Sequence, residues 1–354
     1  MRTSAVVVLI LVGACATTTT PAGRSPFEPI VSRAHAAGTF DGVVIVTRDD
    51  RVVYRGAIGL ADRARAIAHR PDEVVRLASI TKQLTAALVM REVGRGTVAL
   101  DAPIATYLPE LGADARARTV RQLLQHTSGL PNPDTGGPET GMPAFYLQRG
   151  PVDVLHSVCA EPPTAPAGKF AYNNCDYLLL GAILERATHG TYAALVAQLA
   201  AKLELPTFAI ATETSTSPVV GYLANGAIEP AYNVATFGAA GALLGSVDDL
   251  ARWGGALLHH RVVDAPATAT MFRGDPALGY EALGSWSYEL EVGTQKVAIV
   301  ERQGEIQGMR LLLLLLPKHD VVIAIAANTE RAELFDLWQK RGLPYELIAA
   351  AIVK

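Results

Sequence analysis

Hydrophobic positions change rhythm twice along this chain. The stretch FEPIVSRAHAAG reads as a short amphipathic helix closed by Gly38. DGVVIVTRDDRVVYRGAIG follows, two β-rich runs around the turn residues Asp49 and Asp50, which is a hairpin pattern. From about Ser79 to Trp253 the pattern is mostly helical, broken by long Pro/Gly loops, notably GLPNPDTGGPETGMP. Within it GSVDDLARW carries a helix start, with Ser246 as N-cap and Asp249 three residues on. Strand character returns from Gly284, where SWSYELEV, QKVAIVE, MRLLLLLL and DVVIAIAAN are spaced as an antiparallel meander. The leucines Leu311 to Leu316 are far too few to cross a bilayer and predict a central buried strand. The stretch from Glu330 onward is helical again, and no internal repeat is visible.

Strands at both ends thus flank a helical middle. That order predicts one sheet built from N- and C-terminal segments, residues 26–78 and 254–354, with a helical part, 79–253, inserted between them. A cleft between the two parts is the expected place for a site.

Composition narrows the function classes. With 354 residues, 50% hydrophobic and 18% charged, the chain can bury a large core as one large or two interleaved domains. A net charge of -3 without a long basic run gives nucleic acid no footing and suits a small or neutral substrate. Residues 1–25 read as a targeting segment and tether. Arg2 supplies a positive start, SAVVVLILVGAC is too short to span a bilayer comfortably, and ATTTTPAGRSP is a polar, Pro-containing linker. LVGAC resembles the lipobox of bacterial lipoproteins, with Cys15 as the residue lipidated after cleavage. Plain signal-peptidase cleavage that discards Cys15 is the alternative, and either version exports the protein to the periplasm or cell envelope. Cys159 and Cys175 then remain; the reading adopted is two free, buried thiols, with pairing in an oxidising compartment as the alternative.

Ser79 and Lys82 stand three residues apart in VVRLASITKQLTAALVM, close to one helical turn, so their side chains share a face. The apolar residues around them predict a buried helix, where a lone lysine is expensive unless paired or deprotonated. A serine hydroxyl becomes a competent nucleophile when a neighbour takes its proton, and a lysine does so when burial or nearby positive charge lowers its pKa. An S-x-x-K match alone is weak, and the other stretches decide.

Four further stretches follow in order: ALDAPIATYLPEL with RQLLQHTSGLP, then PAGKFAYNNCDYLLLGAILE, then FGAAGALLGSVDDLARW, and last ERQGEIQGMRLLLLLLPKHDVVIAIAANTE. Together with the first they resemble the serine β-lactamase-related hydrolases: class C β-lactamases, penicillin-binding D,D-carboxypeptidases, D-aminopeptidases and esterases of the same fold. The resemblance spans about residues 41–328. It implies an α+β fold, a β-lactamase/transpeptidase-like αβα sandwich with an antiparallel sheet and an inserted helical domain. It implies Ser79 as nucleophile, Lys82 as adjacent base, and Tyr172 and Asn174 as the Tyr-x-Asn element. Tyr172 would share a proton and pass it to the leaving group, and the Asn174 amide would orient Lys82 and substrate. The backbone N–H groups of Ser79 and Glu305 would form the oxyanion hole.

The third motif departs from the family pattern of Lys or His, one residue, then Gly. ERQGEIQGM puts Arg302 in the cationic place, followed by Gln303 and Gly304. An arginine keeps its charge and can clamp a carboxylate, but it cannot shuttle protons. Arg302 is therefore either a substrate clamp or a strand-edge salt-bridge residue. Glu305, where small residues are common, either pairs with Arg302 or points away from the cleft. This weakens β-lactam hydrolysis more than generic acyl-serine chemistry. His126 in QHTSGL is assigned a structural turn, and Glu92 a solvated helix position. The reading is an exported, lipid-anchored serine hydrolase acting on an amide, ester or β-lactam bond without metal or organic cofactor. Substrate positioning falls to Asn174, Arg302 and Gly304. A penicillin-binding protein with slow deacylation and a catalytically silent cell-envelope binding protein are the alternatives.

Overall fold

The computed structural model describes residues 25–134, 142–150 and 152–353. The targeting segment, its Cys15 and the tether lie outside these residues.

Among the described residues, eleven strands form three sheets. They are β1 (Gly42–Arg48), β2 (Arg51–Ile58), β3 (Leu60–Asp62), β4 (Ile67–Ala68), β5 (Val74–Arg76), β6 (Ala209–Ile210), β7 (Leu243–Ser246), β8 (Trp286–Val292), β9 (Gln295–Ile306), β10 (Met309–Leu316) and β11 (Val321–Ala327). The main sheet runs β2-β1-β11-β10-β9-β8, antiparallel throughout, so its two ends come from opposite ends of the chain as the pattern predicts. Asp49 and Asp50 close the β1–β2 hairpin with φ of 49° and 60°, the left-handed pair that a two-residue turn of matching twist requires. β5, β7 and β6 make a separate small sheet.

The helices are α1 (Glu28–Ala36), α2 (Ile80–Arg95), α3 (Ala113–Arg116), α4 (Val120–Leu124), α5 (Asn174–Thr188), α6 (Tyr192–Lys202), α7 (Gly238–Gly241), α8 (Val247–Leu258), α9 (Ala265–Met271) and α10 (Gly342–Ile352). The leucine run alternates between two cores. Leu312, Leu314 and Leu316 face the layer of α1 and α10, while Leu311, Leu313 and Leu315 face the core shared with α2, α5 and α8. Both sets are fully buried, as expected of a strand with helices on each face. The 253/254 boundary drawn from the order of strand and helix patterns runs through α8, which packs on the sheet against β11 and β1. Ser246 caps that helix by accepting a hydrogen bond from the Asp249 amide.

Two sequence expectations are corrected. Cys159 and Cys175 are joined in a disulfide and are fully buried, not free thiols. Glu92 is buried rather than solvated, because Arg95 and Thr97 both donate to its carboxylate.

Candidate active site

The helix that carries the S-x-x-K pair lies in the middle of the molecule. Of its 16 residues, 12 are buried, including four polar or charged residues among the five from Thr81 to Thr85. Burial at this cost is tolerated because each polar group has partners. The Thr81 hydroxyl donates to Ala78 O and accepts from Leu243 N. Gln83 donates to Ser285 and accepts from the Trp253 indole. Immediately before the helix, Ala78 has φ of 45°, a left-handed conformation that a non-glycine residue rarely adopts. This bend turns the chain out of β5 and places Ser79 at the N-cap of α2, partly exposed while its neighbours are buried. A strained residue next to a candidate nucleophile marks a functional turn.

Lys82 is fully buried, and its ammonium donates to Ser79 Oγ at 3.1 Å, Asn174 Oδ1 at 2.6 Å and Ala240 O at 2.8 Å. All three hydrogens are thereby used. The Tyr172 hydroxyl donates to Ser79 Oγ at 2.7 Å and accepts from Arg302 Nη2 at 2.9 Å. Arg302 Nε donates to the Ser79 carbonyl at 2.7 Å. Serine, lysine, tyrosine and arginine thus form one hydrogen-bonded group drawn from α2, the segment before α5, and β9. Asn174 Nδ2 donates to Asp134 Oδ2 and to the Tyr146 hydroxyl, each at 2.9 Å, which fixes the amide so that its oxygen faces Lys82.

Electrostatics follows from this packing. Burial presses the Lys82 ammonium below its usual pKa and the Arg302 charge adds to that, with Tyr172 and Asp134 opposing. Burial alone would raise the Tyr172 phenol. The charges of Lys82 and Arg302, with the bonds at its oxygen, outweigh that and hold it below its ordinary value. His126 is buried, and desolvation followed by the Lys82 and Arg302 charges keeps its imidazole neutral. It accepts the Asn173 amide at Nδ1 and lies with its ring 4.5 Å from that of Tyr172. His126 therefore supports the Tyr172–Asn174 segment from beneath, in line with the structural turn expected of it.

Ser79 opens into a cavity of about 580 Å³ whose lining includes Asp134, Asn174, Tyr172, Arg302 and Glu305. Its apolar wall is formed by Met142, Tyr146, Phe170, Phe237, Trp286 and Ile306. The third motif is the part read least well from sequence. Arg302 is neither an exposed strand-edge residue nor paired with Glu305: it is fully buried, bound to Ser79 and Tyr172, and its guanidinium sits 5.2 Å from the Trp286 ring centre. Glu305 lines the cavity and pairs instead with Arg310 at 3.1 Å, its cross-strand partner in the β9–β10 register. Gly304 does not line the cavity. A Cβ there would sit 2.7 Å from the Leu77 carbonyl and 3.0 Å from Ile80, so the missing side chain is what lets β9 close on the turn before Ser79. β8 pairs with β9 only as far as Glu301, which leaves residues 302–306 bordered by β10 on one side and open on the side of the cavity. Asp134, Tyr146 and Trp286 were not singled out from sequence. Asp134 carried a signal in hindsight, an acidic residue in the Pro/Gly loop directly after HTSGLP.

A family model described as Beta-lactamase matches residues 27–343. The chain is 35% identical to Esterase EstB of Burkholderia gladioli over 174 residues, covering 45% of this chain and 44% of that one. It is 31% identical to penicillin-binding protein 4 of Amycolatopsis lactamdurans over 45% of this chain and 40% of that protein. The matched segment spans less than half the length of these curated relatives. The D-amino acid amidase from Ochrobactrum anthropi SV3, complexed with L-phenylalanine amide, superposes with a TM-score of 0.76 at 21% identity, covering 92% of this chain and 98% of that one. At that identity the likeness is one of fold, which is the β-lactamase/transpeptidase-like architecture expected from the sequence.

Proposed function

The chain belongs to the Beta-lactamase family, and from that membership we propose that it is a serine hydrolase working through an acyl-enzyme at Ser79. The observation that carries the reading is the Ser79 hydroxyl at the cavity wall, 2.7 Å from the Tyr172 oxygen and 3.1 Å from the Lys82 nitrogen. In the reactive form Tyr172 is ionised. It takes the Ser79 proton as the serine oxygen attacks the acyl carbon, and it returns that proton to the departing alkoxide or amine. Lys82 and Arg302 stabilise the phenolate, and Lys82 and Tyr172 titrate as a pair rather than as separate groups. In deacylation a water gives its proton to the same phenolate. The N–H groups of Ser79 and Glu305 bind the oxyanion, with β9 bordered by β10 but free of β8 along residues 302–306.

Esters and amides without a carboxylate suit this site better than β-lactams. Arg302 is the only cation among the described residues lining the cavity, and two of its nitrogens are committed to Ser79 and Tyr172 while the third, Nη1, is buried. A substrate carboxylate entering the cavity would meet Asp134 and Glu305 instead. The test is kcat/KM for a short p-nitrophenyl ester and a chromogenic cephalosporin, with wild type and Ser79→Ala. The ester is expected to turn over faster than the cephalosporin, and the alanine variant to be inactive on both. Ester hydrolysis that survives in Ser79→Ala would refute the acyl-serine reading.

Export to the cell envelope with a lipid on Cys15 remains part of the proposal. Arg2, the apolar stretch after it and the position of Cys15 support it, as does the disulfide, which forms and persists in oxidising compartments. Among the described residues no helix is long and apolar enough to cross a membrane. Labelling with radioactive palmitate in a bacterial host, lost in Cys15→Ser, is the expected result.

A further inference from the structure

Behind the site lies an acid that the acyl-serine reading does not use. Glu281 is fully buried, and neither of its carboxylate oxygens has a hydrogen-bond partner among the described residues. Such a group is costly inside a protein. Residues 281–286 form a turn closed by the Ala282 amide on the Ser285 carbonyl, and Glu281 bridges Trp286 in antiparallel register. The Trp286 ring centre lies 5.2 Å from the Arg302 guanidinium. The turn is docked on α2, where Gln83 donates to the Ser285 hydroxyl. A Cβ at Gly284 would sit 3.0 Å from the Lys82 carbonyl and 3.1 Å from the Tyr177 hydroxyl. Arg302 is fully buried too, and its Nη1 has no partner among the described residues. A buried carboxylate and two buried cations thus share one region, and the charges of Arg302 and then Lys82 both act on Glu281. Tyr177, on α5, faces the same region, and burial followed by the Glu281 charge keeps its phenol protonated. Asp275 pairs with Glu281 through backbone, and its carboxylate accepts from the Ala277 amide.

We propose that Glu281 is a positioning residue for the reaction: its ionised carboxylate is the buried counter-charge that keeps the proton on Lys82 in alkaline solution. The proposal rests on the acyl-serine reading and deepens it. In the reactive form Lys82 and Arg302 are positive and Tyr172 is negative, which leaves a net positive charge among these groups. Glu281 is placed to cancel it. Attraction between charges is reciprocal: the Lys82 and Arg302 charges favour the Glu281 anion, and that anion favours the Lys82 ammonium. Burial pushes Glu281 up to about 8, so the counter-charge is absent in mildly acidic solution and appears above that pH. Ionised Glu281 therefore extends activity toward alkaline pH, where a buried lysine otherwise loses its proton and ceases to stabilise the phenolate. The carboxylate does not line the cavity, so it touches no substrate.

The test is kcat/KM for a p-nitrophenyl ester against pH, in wild type, Glu281→Gln and Glu281→Met. The quantity read is the ratio of variant to wild type, whatever its value at acid pH. Between about pH 6 and about pH 9.5 that ratio is expected to fall by about 3-fold or more for both neutral replacements, because each leaves Lys82 without its counter-charge. Glu281→Asp, which keeps the acid, is expected to hold the ratio nearer to constant. A purely structural role moves the ratio the other way. Relief of a buried, unpartnered acid makes the neutral variants the more stable proteins at alkaline pH, so their ratio stays level or rises. A level or rising ratio in the neutral variant that folds, checked by near-ultraviolet circular dichroism at both pH values, overturns the proposal alone, provided that turnover is lost in Ser79→Ala. If turnover survives in Ser79→Ala, the acyl-serine reading itself falls, and this proposal with it.

Discussion

Removing the disulfide separates two roles that the structure superimposes. Cys175 is the second residue of α5, next to Asn174, and the bridge to Cys159 closes a loop with a separation of 16 residues that carries Phe170, Tyr172 and Asn174. The double variant Cys159→Ala/Cys175→Ala frees that loop in the unfolded chain. Loop-closure entropy for such a length is worth about 3 kcal/mol. For a folded unit of this size, with about 0.7 kcal/mol/K of unfolding entropy, that is a fall in Tm of about 4 °C. The active geometry is held separately. Ala171 N donates to His126 O, Asn173 N to the His126 ring, and the Asn173 side chain to Leu130 O and Pro131 O, while Gly168 N donates to Thr127 O. At about 1 kcal/mol each, these bonds outweigh the bridge as local restraints on Tyr172 and Asn174. The expected result is a Tm lower by about 4 °C in scanning calorimetry with kcat on a p-nitrophenyl ester, at 25 °C, within about 3-fold of wild type. A collapse of kcat by more than about 10-fold with Tm unchanged would refute the assignment of the bridge to stability and of the catalytic geometry to the backbone bonds.

Three other perturbations follow from the same geometry. Arg302→Gln removes a charge that lowers the pKa of both Lys82 and Tyr172, so both rise and the acid limb of kcat/KM is expected to move to higher pH, whereas Arg302→Lys keeps it near wild type; an unmoved limb in the glutamine variant counts against the electrostatic role. Glu281 is buried with both carboxylate oxygens unpartnered, and burial pushes it up to about 8. Because its folded pKa lies above the unfolded one, wild-type stability falls as pH rises from about 4.5 to 8, and Glu281→Gln is expected to flatten that slope and to add on the order of 4 kcal/mol at pH 8, read by urea denaturation at pH 5 and 8. Gly304→Ala drives a methyl against the Leu77 carbonyl, and since backbone must move, a loss of about 10-fold or more in kcat with KM little changed is expected; full activity would show that β9 and the Ser79 turn are not held in contact.

The main sheet was legible because its strands obey simple patterns. The leucine run has no polar position, so it demanded helices on both faces, and α1 with α10 on one side and α8 on the other supply them. The Ser79–Lys82 pair and the Tyr172–Asn174 pair were legible as motifs, and the fold brings all four side chains into contact. What sequence could not give was contact between segments with no periodic relation. Cys159 lies in a 3-10 turn (Val158–Ala160) and Cys175 in a helix start, and nothing in their spacing says that the turn returns to the helix. Asp134 and Tyr146 belong to a Pro/Gly loop whose path no hydrophobic pattern specifies. The Glu305–Arg310 pair, by contrast, was within reach: a two-residue turn at Gln307 and Gly308 makes those positions direct cross-strand neighbours.

Arginine in the third motif has a consequence for where protons can go. A lysine or histidine at that place can itself gain or lose a proton, so several groups around the serine would share the traffic. Here the cation is permanent, and it is immobilised: Nε on the Ser79 carbonyl, Nη2 on the Tyr172 oxygen, and the guanidinium near the Trp286 ring. Held in this way it contributes a fixed field rather than a proton, and His126, kept neutral beneath Tyr172, contributes none either. Lys82 and Tyr172 are then the only titrating pair in contact with Ser79 among the described residues. In the proposed acyl-serine mechanism, a pair of this kind carries a single exchangeable proton between them through acylation and deacylation. The fixed charge also explains why the cavity accepts acid at its mouth. With Arg302 and Lys82 both buried behind Ser79, two positive charges lie on one side of the acyl carbon, and Asp134 and Glu305 balance them from the side where substrate enters. Replacing either cation with a neutral residue therefore raises the proton affinity of Tyr172, and the pH dependence of kcat/KM reads that change directly.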